Sequence, residues 1–530
     1  MRKRKIHKDV EEVVKKGEIL FEERIQKAKT NVSPPFSIEE LDKVLKDLKT
    51  GKCKDTDNYI FELFKDGVIG KDLRISLLMM FNRMKSEMKI PESLRKASIT
   101  ILHKKNDKLD LNNWRGIFVT SVLRAILMKL IYGRTYKIVD SNMSDAQIGA
   151  RKKTSVRNHL FVLNSILSDV TATTKKEAVD INVLDFKQMF DAEEVPNVLN
   201  ALYEAGIKDD MLAMLNAANE LVQFAVKTPN GMTEIKSISN KIMQGDVLAP
   251  LMSSNFVDVN IVRSADKSGN IYMYKEKVPI PPLIMQDDTI TISAYVIKTQ
   301  DMNTMINTCA NIMGLQFGSE KCVKMHIGKK HNPEKCGKGR VDSWKEVVIK
   351  NKNGEDILFD HQNNKVDMKT VGKKKYLGQI ISNDLKNEKN LKDKTNKSVG
   401  NVNKIITTLQ ERPFGIYNFK AAMLMRDGIL MSALLNNAET WNNITKKNTL
   451  NLEKPDTMLQ QKLFDIKSSK VFYYLDLGIL PAKYVIMKKR LKFLKYILDE
   501  PMETMIRKVF EEQRKETQKG DFINQVSDDF

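Results

Sequence analysis

The chain has 530 residues, 42% of them hydrophobic and 29% charged, a globular composition long enough for more than one core. Its 88 basic residues outnumber 67 acidic ones, and the net +21 suits a polyanion partner, most simply nucleic acid. Four cysteines are too few for a disulfide framework, the start MRKRKIHKDVEEVV lacks an apolar signal-peptide run, and no apolar stretch nears the ~20 residues of a membrane span. An intracellular protein is expected, nuclear or cytoplasmic, with no membrane contact.

Residues 1–30 read as a polar, charged, helical lead-in. At Ser37 the run S-I-E-E forms a capping box with Glu40. Ile38, Leu41, Val44, Leu45 and Leu48 then mark one helix face. A second helix, DLRISLLMMFNRMKSEM, ends near Pro91, and the strand-like ASITILHKK leads into a loop, NDKLDLNNWRG. Helices separated by the polar turn QIGARKKTS fill residues 120–170, and DINVLDF reads as a strand. A helical pair at about 192–224 precedes two strands, QFAVKT and TEIKSIS, turned by PNG.

IMQGDVLAP opens another helix, and LIMQDDTITIS follows as two strands meeting at Asp287 and Asp288. A helix at about 298–314 precedes strand-like patches at KMHIG and KYLGQIIS. From about 390 to 500 the pattern is helical, and the last thirty residues read as a charged, frayed tail. Cys322, His326, His331 and Cys336 cluster loosely without zinc-ligand spacing. The fold class is α+β with a basic helical extension.

Two adjacent carboxylates repel, so Asp287 and Asp288 need open water or a cation. Alone, they read as a solvated turn. Asp185 changes the balance, because the alternating strand DINVLDF delivers it at a strand end too. Strand ends that bring acids together suit Mg²⁺, whose other ligands are water and phosphate oxygens. Two such ions roughly 3.5–4 Å apart activate a hydroxyl and stabilise a leaving pyrophosphate.

The ordered series NWRGI, LDFKQMFD, MQGDVLAP, MQDD, GLQFGSEKCVKM and KYLGQIIS resembles the reverse transcriptases of non-LTR (LINE-type) retrotransposons. The similarity runs from about residue 37 to 500. It implies a right-hand polymerase with fingers, a palm built on an antiparallel sheet, and a helical thumb. The implied layout is a basic extension at 1–36, fingers at 37–178, and a palm at 179–345 with a finger insertion about 205–240. A primer-grip segment at 346–385, a thumb with C-terminal helices at 386–500 and a charged tail at 501–530 complete it.

The resemblance places the metal ligands, for two Mg²⁺ with Mn²⁺ as a substitute, on Asp185, Asp287 and Asp288. Phe190 matches the steric gate that favours dNTPs. Gln244 and Gly245 match the block along which the backbone approaches template and nucleotide. Arg115 and either Lys104 or Lys105 look like triphosphate-holding cations. Lys321 matches the lysine that protonates departing pyrophosphate, and Tyr376, Leu377 and Gly378 resemble the primer grip. Arg151, Lys488, Lys489, Arg490 and Lys492 are expected against nucleic-acid phosphates.

The chain departs from the family pattern in places. Met285 and Gln286 precede the acid pair where an aromatic and Ala are usual. Val247–Pro250 replaces Pro-Leu-Ser-Pro, Met189-Phe190-Asp191 replaces AFD, and KCKDTDN replaces the glycine-bearing KAPGPDG. No endonuclease domain or Cys/His knuckle is recognisable. The expected partners are an RNA template, a DNA primer and dNTPs, within a larger ribonucleoprotein or protein assembly on one view. An alternative keeps the fold without the chemistry: a catalytically lapsed RNA-binding or structural subunit.

Overall fold

A computed structural model of the chain describes residues 8–529 apart from 105–106, 173–178, 187–188, 240, 268, 270, 295, 316, 319–320, 328–368, 384–386, 411–418, 443, 465–473, 476–477 and 519–520. Lys105, His331 and Cys336 lie outside the described residues.

The capping box forms as expected: Ser37 caps the helix Ile38–Lys46 and Glu40 returns the bond to the Ser37 amide, while Leu41 and Leu45 are buried. The helix Lys71–Glu87 stops at Met88, a left-handed residue ahead of Pro91. The lead-in helix Lys8–Thr30 packs through Phe21, Ile25 and Ala28, and Arg24 donates to Asn200.

A first sheet is built on β1 (Lys96–His103), antiparallel to β2 (Trp114–Thr120) and parallel to β4 (Leu221–Thr228). Strands β5 (Gly231–Met232) and β6 (Lys236–Ser239) return antiparallel along β4 around the expected hairpin turn. The expected loop ending NNWRG is corrected here, because Trp114 opens β2. Its aromatic and β-branched residues, WRGIFVT, pair with β1 along their whole length, a preference the preceding charges and Gly116 concealed.

A second sheet runs in the order β12 (Lys369–Thr370), β11 (Val323–Ile327), β3 (Val179–Asp185), β10 (Asp288–Ser293), β9 (Leu283–Met285). Side chains alternate along β3. Val179, Ile181 and Val183 join Ile290, Ile292 and the helix Val156–Ala172 in one core, with a short hairpin of β7 (Tyr272–Tyr274) and β8 (Val278–Ile280). Leu184 and Phe186 face the other way, into a core with Met302 and Ile306 of the helix Val296–Met313. Burial on both faces makes this sheet a middle layer.

Behind it, β13 (Lys373–Tyr376) and β14 (Gln379–Ser382) form a hairpin against a helical region. The helices Glu388–Gln410, Lys446–Phe464 and Ala482–Asp499 build that region around Leu434, Trp441 and Leu452 and around Val402, Ile405 and Leu459. The expected frayed tail is a second correction. Residues Met505–Lys515 and Phe522–Asp528 are helices that bury Met505, Ile506, Val509, Phe510 and Phe522. The Phe522 ring lies 5.5 Å from Phe161 and 5.7 Å from Phe493. Charged residues of both signs interleave with the apolar ones there and mask the stripe. Among the described residues no helix is long and apolar enough to cross a membrane.

Candidate active site

The β9–β10 hairpin closes at Met285 opposite Asp288, leaving Gln286 and Asp287 as a two-residue turn. Gln286 has φ +58° and Asp287 does not share it, the pattern of a II′ turn, which favours glycine at the first position. A non-glycine residue there needs outside support. Gln147 supplies it, accepting through Oε1 the amides of Gln286 (3.3 Å) and Gly149 (2.8 Å). The segment itself runs beside β9: Ile284 N donates to Ala146 O (2.8 Å) and Ile148 N to Ile284 O (3.0 Å). A Cβ on Gly149 would lie 2.8 Å from Gln286 Cγ, so glycine lets the segment close on the turn.

Asp185 ends β3 directly across from Asp288, with both side chains on the face that carries Val183 and Ile290. Phe186 continues past the strand and stacks on Phe317, ring centroids 4.6 Å apart, while Gly318 N donates to Asp185 O (2.8 Å). Lys321 also reaches this strand end, its Nζ 2.8 Å from Asp185 Oδ1. Lys374 of β13 donates to Lys321 O (2.8 Å), adding a second cation beside the acids.

Burial raises the Asp287 carboxyl above the ordinary range, Asp185 pushes the same way, and Arg115 and Lys321 oppose. Asp288 is pushed up to about 6, by desolvation first and then by Asp287 and Asp185. Among the described residues no three His, Cys, Asp or Glu side chains form a ready metal-holding group. The expected three-acid cage is therefore not closed: Asp185 and Asp288 face each other, Asp287 stands in the turn, and Lys321 supplies the counter-charge. The donor chemistry itself, hard carboxylate oxygens short of positive charge, fits a hard divalent cation such as Mg²⁺.

No family model matches the chain. A retrovirus-related Pol polyprotein from the type-1 retrotransposable element R2 of Popillia japonica is 22% identical over 247 residues, 45% of this chain and 33% of that protein. The chain is similar to a retrotransposon Pol polyprotein. The match spans about a third of that polyprotein's length. Among solved structures, an apo telomerase from Candida tropicalis, truncated from its C-terminal domain, aligns at TM-score 0.34 and 12% identity over 48% of this chain and 56% of that one.

The remaining expected residues scatter more widely. Arg115 is exposed on β2, and Lys104 is exposed just beyond β1, its amide bonded to Asn113 O. Phe190 is half-buried against the larger core. Gln244 accepts the Phe118 amide through its carbonyl (2.8 Å), and Gly245 has φ +120° with Phe118 O only 2.4 Å from where a Cβ would sit. The close approach at Gly245 is thus to the chain's own β2. Asp246, next along, pairs with buried Arg124 (2.8 Å), which also bonds Ala218 O and Asn219 Oδ1.

Three expected contacts are corrected by burial or pairing. Tyr376 is 2% exposed, its hydroxyl 3.3 Å from His159 Nδ1, so it is a post beneath the hairpin and only Leu377 and Gly378 form the tip. Arg151 is held by Asp140 (2.8 Å) and by Ser144 O (2.9 Å), which closes its own loop. Arg490 is 4% exposed and pairs with Asp529 (2.9 Å) while donating to Trp441 O. Lys488 and Lys492 are exposed one turn apart, whereas Lys489 turns inward to Leu435 O. Sequence reasoning missed Gln147, Lys374 and the Arg124–Asp246 pair; a Gln-x-Gly inside QIGARKKTS was the signal for the first.

Proposed function

We propose that the chain is an RNA-directed DNA polymerase of the right-hand class, extending a DNA primer on an RNA template with dNTPs. On this reading β3, β9, β10 and β11 are the core of the palm, the β1–β2–β4 sheet belongs to the fingers, β13–β14 is the primer grip, and the helices after Glu388 form the thumb. The observation that carries it is the pairing of Asp185 with Asp288 across two strands, with Asp287 at the adjoining turn. The similarity to a retrotransposon Pol polyprotein supports the choice of substrate class.

Two Mg²⁺ ions held by Asp185, Asp287 and Asp288 would supply the charge that activates the primer hydroxyl and stabilises the leaving group. The chain's own residues do the rest. Arg115 and Lys104 hold the triphosphate, Arg115 from a side that already acts electrostatically on Asp287. Phe190 limits room at the sugar, and Lys321 donates a proton to departing pyrophosphate. Gln147 keeps the acid-bearing turn in one shape.

A second reading, a catalytically lapsed RNA-binding subunit, is favoured by the Lys321–Asp185 ion pair in a site without a closed three-acid group. Extension of oligo(dT) on poly(rA) with Mg²⁺ or Mn²⁺ separates the two. Activity in the wild type that disappears in Asp287→Asn supports the polymerase. Silence from both proteins, with RNA binding retained, supports the lapsed subunit.

A further inference from the structure

Two lysines from different parts of the chain meet at one main-chain oxygen beside the acids. Strand β12 lies parallel to β11, with Val323 opposite Lys369 and Lys324 opposite Thr370, and the Val371 amide donates to Lys324 O (3.0 Å). The chain then enters β13, where side chains alternate, so Lys374 and Tyr376 share one face and Lys373 and Lys375 the other. Tyr376 is buried on its face, the hydroxyl 3.5 Å from Leu283 O of β9. Lys374, two residues earlier on that face, sends its Nζ to Lys321 O at 2.8 Å.

The backbone around Lys321 is held on two sides. Toward β3, Gly318 N donates to Asp185 O (2.8 Å), Lys321 N to Gly318 O (2.9 Å) and Asp185 N to Cys322 Sγ (3.4 Å). Toward β13, the Lys374 ammonium holds the Lys321 carbonyl. A bond from an ammonium is charge-assisted and stronger than one between two neutral amides. It falls on the carbonyl of the residue whose own amine lies 2.8 Å from Asp185 Oδ1. The Lys321 side chain is mostly exposed, on a flexible four-carbon stem, so the reach of its amine is set largely by where its backbone is held.

We propose that Lys374 is a positioning residue for Lys321, holding the Lys321 carbonyl in place while the Lys321 amine changes partner from Asp185 to departing pyrophosphate. This rests on the polymerase reading of the site. When Asp185 turns its oxygens to a cation, the Lys321 amine is released from its ion pair. The bond from the α-phosphorus to the bridging oxygen breaks with its electron pair on that oxygen. Lys321 Nζ gives that oxygen a proton and is left a neutral amine. A tether at the carbonyl fixes the root of the stem and leaves its tip free for the exchange.

The test is single-turnover extension of a DNA primer on an RNA template by the full chain, beside alkylation of Cys322 by iodoacetamide read by mass spectrometry. Cys322 is 1% exposed and adjoins Lys321, so its labelling reports on the tether without turnover. Lys374→Met removes the ammonium at nearly equal length, and Lys374→Arg restores a cationic donor. Lys373→Met, exposed on the opposite face of β13, controls for charge. Lys374→Met is expected to slow extension on the order of tenfold with the dNTP KM within about twofold, and Lys374→Arg to recover most of the rate. In a Lys321→Gln background the same change is expected to cost less than about twofold, because the tether then has no amine to place. Cys322 labelling is expected to rise on the order of tenfold in Lys374→Met at an unchanged thermal transition, and to stay at the wild-type level in Lys373→Met. An unchanged rate, unchanged labelling, or a full tenfold loss that persists beside Lys321→Gln would overturn the proposal. A wild type that does not extend, with Cys322 freed by Lys374→Met, upholds the tether and counts against the polymerase reading alone.

Discussion

Lys321 Nζ lies 2.8 Å from Asp185 Oδ1, and Asp185 stands in register with Asp288 across the strand pair. The ion pair is open to water, with the lysine side chain 61% exposed, so it adds little to stability, and it sits where the proposed nucleotidyl transfer would change charge. Lys321→Gln is expected to leave the unfolding free energy within about 0.5 kcal/mol of wild type. The same variant is expected to slow extension on the order of 10²-fold, as loss of a general acid does. Denaturant unfolding and single-turnover extension on one preparation check the two halves.

Gln147 is a positioning residue. Its Oε1 satisfies two amides, one of them from the left-handed Gln286. Gln147→Leu leaves both without that acceptor and frees the turn, and a displacement near 1 Å costs on the order of 10²-fold in rate. Extension is expected to fall by about that factor while duplex affinity stays within about twofold, because phosphate contacts carry the affinity. Equal losses in both would mean that the residue supports the fold as a whole.

Gly245 combines φ +120° with Phe118 O at 2.4 Å from the Cβ site. Neither strain can relax cheaply, since the obstacle is backbone and Phe118 N is bonded to Gln244 O. Gly245→Ala is expected to cost more than about 2 kcal/mol in urea unfolding. Ala at Gly231, which has φ +116° but open space around it, should cost less.

Glu193 is fully buried, accepts a bond from Ser253, and is pushed up to about 8, chiefly by desolvation. A carboxyl with a raised value holds its proton in the folded state after the unfolded chain has lost it, so stability falls as pH climbs from its ordinary range toward 8. Between pH 5.5 and 8 the wild type is expected to lose roughly 2 to 3 kcal/mol from this group. Glu193→Gln, neutral at every pH, should lack that loss, and thermal melts across the range will show it.

The acid site was legible because strand alternation and turn position are local properties. DINVLDF and LIMQDDTITIS each carry a period-2 pattern that ends at an acid, and the structure sets those ends side by side. The Ser37 cap and the PNG hairpin were legible for the same reason. Partners far apart in sequence were not. Gln147 reaches Gln286 across 139 positions and Arg124 reaches Asp246 across 122, and nothing near either residue announces the other. Arg490 and the last two helices misled in the opposite sense: charge in the sequence suggested solvent, while pairing with Asp529 and packing around Phe522 put them inside.

The central claim is that Asp185, Asp287 and Asp288 collect divalent cations for nucleotidyl transfer, and counting bound Mn²⁺ tests it most directly. Electron paramagnetic resonance titration of the full chain with RNA–DNA duplex and dNTP should give about two Mn²⁺ per chain for wild type, as expected of a two-metal site. Asp185→Asn and Asp287→Asn should each give fewer. Equal Mn²⁺ binding by wild type and both variants, or none by any of them, would contradict the account.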